Sequence, residues 1–254
     1  MRAEIGVFGG SGLYELLDDA TTHEVATEWG DPSGPITIGR VGNARIAFLP
    51  RHGRHHHLPP HAVPYRANVA ALRELGVGSI IAPFAAGSLR PDIHPGDLVV
   101  VDQLVDRTWG RPDTFHDSFA GGPHHLTFAD PYDERTRAAL VHAARAGGAA
   151  VHDRGTVVVI QGPRFATRAE SAWYRSAGWD VINMTQYPEA ALAAEAGIAY
   201  AGIALITDYD TGLDGVDGVD GVEPVSQDAV FAAFEANLPM LRTVVLDAAA
   251  SLAA

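Results

Sequence analysis

The chain has 254 residues, with 31 Asp and Glu against 18 Arg, no Lys and no Cys, and a formal net charge of −13. Without Lys or Cys there is no Schiff-base amine, P-loop lysine, thiolate nucleophile, disulfide or Cys-ligated metal centre. A net acidic chain with no basic run is also a poor general binder of nucleic acid or anionic membrane. Its 47% hydrophobic and 19% charged content is that of a globular protein. The N-terminus has no signal-peptide pattern, and no run of about twenty apolar residues occurs. A cytoplasmic protein with no membrane span is therefore expected.

Strand-like and helical patterns alternate along the chain. Residues 5–8 predict a short strand that ends in Gly9-Gly10-Ser11-Gly12. A second strand covers 45–49, stopped by Pro50. Val69, Leu72 and Leu75 predict a helix over 65–75 with Gly76 as its stop. Strands follow at 79–82 and 97–105, and the Leu/Val content of the latter points to a covered sheet. Helices are expected at 133–146, 169–177 and 188–196, the last between Pro188 and Gly197. Strands are expected at 155–161, 180–183 and 198–207. A long helix over 226–253, bent at Pro239, closes the chain. No Pro-, Ser- or charge-rich linker intervenes. The pattern describes one α/β domain over 1–254, with a central mixed sheet flanked by helices. The tract 212–222, with Gly-Val-Asp twice, reads as a mobile surface loop.

Five places could carry chemistry. The Gly9–Gly12 turn offers backbone N–H groups to an anion, although no G-x-G-x-x-G runs through it; a plain tight turn is the alternative. Arg51-His52-Gly53-Arg54-His55-His56-His57 follows a strand, and Arg grips phosphate bidentately. Metal binding and a solvated loop compete there. Gln161-Gly162-Pro163-Arg164-Phe165 sets an aromatic where it could stack on a planar ligand or simply join the core. Asn183-Met184-Thr185, with Glu189 close behind, lies between a strand and a helix start, where sugar hydroxyls can be held. Thr207-Asp208-Tyr209-Asp210 sends two carboxylates off a buried strand, which suits acid–base work or amine recognition. A solvated strand exit is the rival, and an EF-hand loop fails because Leu213 stands at its required glycine.

Taken together, these motifs resemble the trimeric purine nucleoside phosphorylase family, within it the 5′-methylthioadenosine phosphorylase branch. The resemblance runs over almost the whole chain. It includes Gly9-Gly10-Ser11-Gly12-Leu13, Pro50-Arg51-His52-Gly53, Gly87-Ser88-Leu89, Pro95-Gly96-Asp97, Gly162-Pro163-Arg164-Phe165, Arg168-Ala169-Glu170-Ser171, Asn183-Met184-Thr185, Pro188-Glu189 and Thr207-Asp208-Tyr209-Asp210.

The resemblance implies attack of phosphate on C1′ of a nucleoside, giving free purine and a ribose 1-phosphate. No metal and no organic cofactor are expected; phosphate is a co-substrate. Ser11, Arg51, His52 and the Ala85 backbone match the phosphate contacts. Met184 and Thr185 match the ribose contacts, and Phe165 the wall beside the base. Asp208 matches the partner of purine N7 and is the general-acid candidate, with Asp210 accepting from the 6-amino group. Relatives acting on 6-oxopurines place Asn where Asp208 stands, so adenine nucleosides are expected. Val225, Gln227, Val230 and Phe231 match the pocket for the 5′ group, and His125 matches a residue lent to the neighbouring subunit's pocket. That implies a homotrimer, or a dimer of trimers, with a shared active site. Two departures remove hydroxyls: Ala166 replaces a Ser near the base and Phe84 a Thr near phosphate. Gln227 is polar where the branch is apolar, so a wider range of 5′ groups, adenosine included, is expected. The alternatives are a phosphorylase for inosine or guanosine, an NAD-binding oxidoreductase built on the Gly9–Gly12 turn, and a non-enzymatic nucleoside or phosphate binder.

Overall fold

A computed structural model describes every residue except 1, 11, 12, 14, 15, 18, 19, 218 and 254. The elements are β1 (Ile5–Gly9), β2 (Thr21–His23), β3 (Ile36–Val41), β4 (Ala44–Pro50), α1 (Tyr65–Glu74), β5 (Ser79–Ser88), β6 (Leu98–Val100), β7 (Gln103–Arg107), α2 (Glu134–Ala146), β8 (Val151–His152), β9 (Thr156–Ile160), α3 (Arg168–Ser176), β10 (Val181–Asn183), α4 (Gln186–Glu195), β11 (Ala199–Tyr209) and α5 (Gln227–Leu252). The strands form one mixed sheet with helices on both faces, the expected architecture.

Alternation along the central strands builds the core. On β5, Ile80, Ala82, Phe84 and Ala86 face one side, with Leu72 of α1 and Leu192 of α4. Ile81 faces the other, with Leu140 of α2 and Phe234 and Val245 of α5. A strand buried on both faces must read as nearly continuous apolar sequence, and β5 and β11 do. By length and composition α5 could cross a membrane. Here it lays Phe234, Leu241, Val244, Val245, Ala248 and Ala249 into the core.

The helix ends follow local chemistry. The Asp133 side chain caps α2 by accepting from the Thr136 N–H at 2.7 Å. Thr167 and Glu170 form a reciprocal capping box on α3.

Three strands, β2, β3 and β8, have no counterpart among the expected elements, and two expected strands differ most from their bounds, each for a physical reason. β5 runs through Pro83 instead of stopping at 82. Its first half pairs with β1 and β11, and its last residues pair with β10 and β11. β1 leaves after Ile81 and β10 joins at Gly87, so residues 82–86 have an uncovered edge on that side. A proline is tolerated on such an edge, where no N–H is needed. The single strand expected over 97–105 is two: β6 pairs with β11 and β8, while β7 pairs with β9. The chain changes neighbours at Asp102, whose carboxylate accepts from the Gly155 N–H at 3.1 Å. In the tract 212–222, of which residue 218 is not described, the described residues are tied by turn hydrogen bonds. Leu213 is buried within it, the Gly215 N–H donates to the Val219 carbonyl at 2.8 Å, and the Val222 N–H donates to Asp214 at 3.1 Å.

Candidate active site

The uncovered edge of β5 opens into a cavity of about 350 Å³. Its walls are the carboxyl ends of strands and the turns after them, where open α/β sheets hold their ligands.

One end is built on Arg51 and His52, directly after β4. Arg51 is fully buried. Its Nε and Nη2 donate to the two carboxylate oxygens of Glu189, at 2.9 Å for Nη2, and Nη1 donates to the Pro83 carbonyl at 3.1 Å. Burial works against the charge, but Glu189 outweighs it and Arg51 is held above its ordinary pKa. Gly10 passes very close. A Cβ there would lie 2.8 Å from the Pro83 carbonyl oxygen and 3.2 Å from Arg51 Nη1.

His52 is pushed down to about 3, first by burial and then by Arg51, so the ring is neutral. Nδ1 lies 2.8 Å from the Leu58 carbonyl, which can only accept. Nδ1 therefore carries the proton and Nε2 the lone pair. The ring stacks on His56 at 4.5 Å, and His56 meets the edge of Phe231 at 5.2 Å. Beside them the Ala85 carbonyl accepts from Asn183 Nδ2 at 3.1 Å. In an extended strand the N–H and C=O of one residue point to the same side, so the Ala85 N–H faces the same open edge.

The other end is the exit of β11. The pairing register with β5 shifts between Ile206 and Asp208, which sets Asp208 opposite Gly87; such irregularities re-aim side chains beside sites. Burial raises Asp208 to about 6, against the pull of the Thr207 hydroxyl, and Asp210 adds to the rise. Thr207 Oγ1 is 2.7 Å from Asp208 Oδ1. Asp210 is also raised by burial, with Ser171 pulling the other way. Its Oδ2 is buried and has no hydrogen-bond partner. Gly87 makes room for the pair: a Cβ there would sit 3.0 Å from Ile182 and 3.2 Å from Asp208 Oδ2.

Phe165 and Ala166 after β9, and Met184 and Thr185 after β10, line the wall between the two ends. Thr185 is buried, and its N–H donates to Asn183 Oδ1 at 2.6 Å. Val225, Gln227, Val230 and Phe231, at the start of α5, close the remaining side.

The cavity thus gathers Arg51, His52, Ala85, Phe165, Met184, Thr185, Asp208, Asp210, Val225, Gln227, Val230 and Phe231 from six separate stretches of sequence. Ser11 lies outside the described residues. His125 is exposed, packs against the edge of Phe119 at 5.5 Å and does not line this chain's cavity. Arg164 pairs with Glu170 at 2.7 Å, so of that turn's charged and aromatic side chains only Phe165 serves the cavity. Sequence reasoning missed Glu189 as the partner of Arg51; the two are 138 residues apart and no local pattern links them. It also left the histidines of 55–57 without a place, and the structure puts His56 and His57 in the cavity wall.

A strand-end cavity with a wired arginine at one end and two lightly restrained carboxyls at the other fits an enzyme acting on a small anion and a polar organic molecule. Residues 4–242 match the model of the phosphorylase superfamily, and the chain belongs to that family. It is 48% identical over 260 residues to a purine nucleoside phosphorylase of Streptomyces coelicolor, covering 100% of this chain and 91% of that one. It is 52% identical over 245 residues to an S-methyl-5′-thioadenosine phosphorylase of Mycolicibacterium smegmatis, covering 96% and 89%. Among solved structures, the methylthioadenosine phosphorylase from Schistosoma mansoni in complex with adenine superposes with a TM-score of 0.91 at 39% identity, covering 99% of this chain and 92% of that one.

Proposed function

We propose that the protein catalyses phosphorolysis of 5′-methylthioadenosine or a related 5′-modified adenine nucleoside, releasing adenine and a 5-substituted ribose 1-phosphate. The observation that carries this reading is the far end of the cavity. Asp208 is raised to about 6 beside Asp210, whose buried Oδ2 lacks a donor. An exocyclic amine supplies that donor, whereas the carbonyl of a 6-oxopurine would face it with a second acceptor.

The reaction divides along the cavity. A phosphate oxygen forms its bond to C1′ as the C1′–N9 bond breaks, and the bonding electron pair leaves with the purine. Burial raises Asp208 to about 6, which keeps a protonated fraction available close to neutral pH; in that form it gives its proton to N7, so the base departs neutral. Arg51, the Ala85 N–H and Ser11 hold phosphate, and His52 Nε2 accepts from its protonated oxygen. Met184 and Thr185 hold the ribose, and Phe165 lies beside the base. Val225, Val230, Phe231 and Gln227 receive the 5′ group. Positioned charge and hydrogen bonds supply the catalysis, with no metal or organic cofactor. The exposed position of His125 suits a residue that completes a neighbouring subunit's 5′ pocket, so a homotrimer, or a dimer of trimers, with shared sites is part of the reading. So is a cytoplasmic location serving purine and methionine salvage.

A second reading, phosphorolysis of inosine or guanosine, is favoured by the purine nucleoside phosphorylase name of the Streptomyces coelicolor relative. One assay separates the two: base release from methylthioadenosine, adenosine and inosine, with and without phosphate. Phosphate-dependent release of adenine with little hypoxanthine is expected, and the reverse preference rejects the adenine reading. Gln227→Val should lower the adenosine to methylthioadenosine efficiency ratio; an unchanged ratio removes Gln227 from 5′ selection.

A further inference from the structure

A guanidinium has five N–H donors in a rigid plane, and Arg51 spends three on the fold. Nε and Nη2 take the Glu189 carboxylate and Nη1 takes the Pro83 carbonyl. One hydrogen on Nη1 and one on Nη2 remain. The grip on the Nε/Nη2 edge fixes the plane of the group, and the Pro83 carbonyl fixes its far corner.

Glu189 is itself braced. It sits on α4 with no exposed surface, and Tyr200 of β11 donates its hydroxyl to Oε2 at 2.8 Å. Burial and Glu189 hold the Tyr200 phenol protonated. Neither Glu189 nor Tyr200 lines the cavity. An ion pair this deep is a weak source of stability, since apolar residues of similar volume commonly serve the fold as well. Its geometry serves something else.

We propose that Glu189, braced by Tyr200, is a positioning residue for phosphate: it occupies one edge of Arg51 and leaves the two remaining N–H groups presented as a fixed fork to the anion. This rests on the reading of the Arg51 end as the phosphate end. Removing the carboxylate charge has two opposed effects. It leaves Arg51 less neutralised, which attracts an anion, and it releases the guanidinium plane, which spoils the fork. A Gln amide keeps one accepting oxygen but sets an NH2 against the other Arg N–H, so the bidentate grip is lost and loss of orientation outweighs the gain in charge.

The test is steady-state kinetics of Glu189→Gln with phosphate and nucleoside varied separately, alongside direct calorimetric binding of inorganic phosphate. The expected result is a phosphate KM raised roughly tenfold or more, by analogy with the loss of outer partners that orient ligand-binding groups, with the nucleoside KM within about twofold. Tyr200→Phe, which removes one hydrogen bond and little volume, should shift phosphate KM in the same direction by about two- to fivefold. It decides the matter if Glu189→Gln does not fold. An unchanged or lowered phosphate KM, or equal rises in both KM values, overturns the proposal. Wild-type protein that neither binds inorganic phosphate nor uses it in base release overturns the underlying reading of the site instead.

Discussion

At one end of the cavity Arg51 and Glu189 are buried as a pair, with Tyr200 and the Pro83 carbonyl completing their hydrogen bonds. At the other, Asp208 is half-buried and Asp210 buried, no cation among the described residues pairs with either, and Asp210 Oδ2 is unpartnered. The same low-polarity interior acts on both. Where a counter-charge is supplied, the charge persists and its geometry is fixed. Where none is supplied, desolvation favours the protonated carboxyl. The first arrangement suits holding an anion still; the second suits giving away a proton at a pH well above the ordinary carboxyl range.

The most severe test of this contrast is Asp208→Ala. If the unpaired end supplies the proton, base release should fall by about 10²- to 10⁴-fold, the usual worth of a positioned general acid, with nucleoside binding retained by calorimetry. A fall of less than about tenfold on that scale removes Asp208 from the chemistry. At the paired end the large effect is on stability. Arg51→Met leaves Glu189 buried alone and should cost about 3–5 kcal/mol in denaturant unfolding. The double variant Arg51→Met with Glu189→Leu should recover most of that loss and none of the phosphate use. If the single variant unfolds no more easily than the double, Arg51 and Glu189 do not act as one buried pair.

Much of this was legible in the sequence, and the illegible parts share a cause. Alternation and helical spacing placed α1, α2, α3, β9 and β10 to within a residue or so, because each is set by residues next to one another. The run of β5 past residue 82 was not legible, because a proline fits a strand only where its N–H side is uncovered, and only the pairing of β1 and β10 with β5 reveals that edge. The split at Asp102 is likewise a change of neighbours, invisible along the chain. Asp208 and Asp210 stood out as two acids leaving an apolar run. The Glu189 partnership did not, since an acid beside a proline at a helix start has an ordinary reading as a first-turn carboxylate.

The contrast also has a thermodynamic signature. Asp208 is raised to about 6 from an ordinary 3.8, so between those values the folded state binds more protons than the unfolded one. Stability therefore falls as pH rises through that window, by about 3 kcal/mol in all. Asp208→Asn removes the titration. Its unfolding free energy should rise relative to wild type by about that amount at pH 8, and the gain should vanish near pH 4. A gain equal at both pH values would assign it to packing. Swapping Arg51 and Glu189 for apolar residues has no reason to show this pH dependence of its gain.

The smallest effect isolates the hydrogen bond that restrains Asp208. The Thr207 hydroxyl stabilises the ionised form of Asp208 from 2.7 Å and so holds its pKa below what burial alone would impose. Thr207→Val keeps the shape and removes the donor. A hydrogen bond worth about 1 kcal/mol corresponds to about 0.7 on the pH scale. Because the acid must be protonated to act, kcat/KM is high below its pKa and declines above it. The valine variant should carry that decline to higher pH by about this amount, with the phosphate KM at low pH within about twofold of wild type. A decline that moves to lower pH would mean that Asp208 acts as its carboxylate. A decline that stays in place, with the phosphate KM shifted instead, would mean that Thr207 belongs to the anion end and that the cavity does not divide its buried charges in this way.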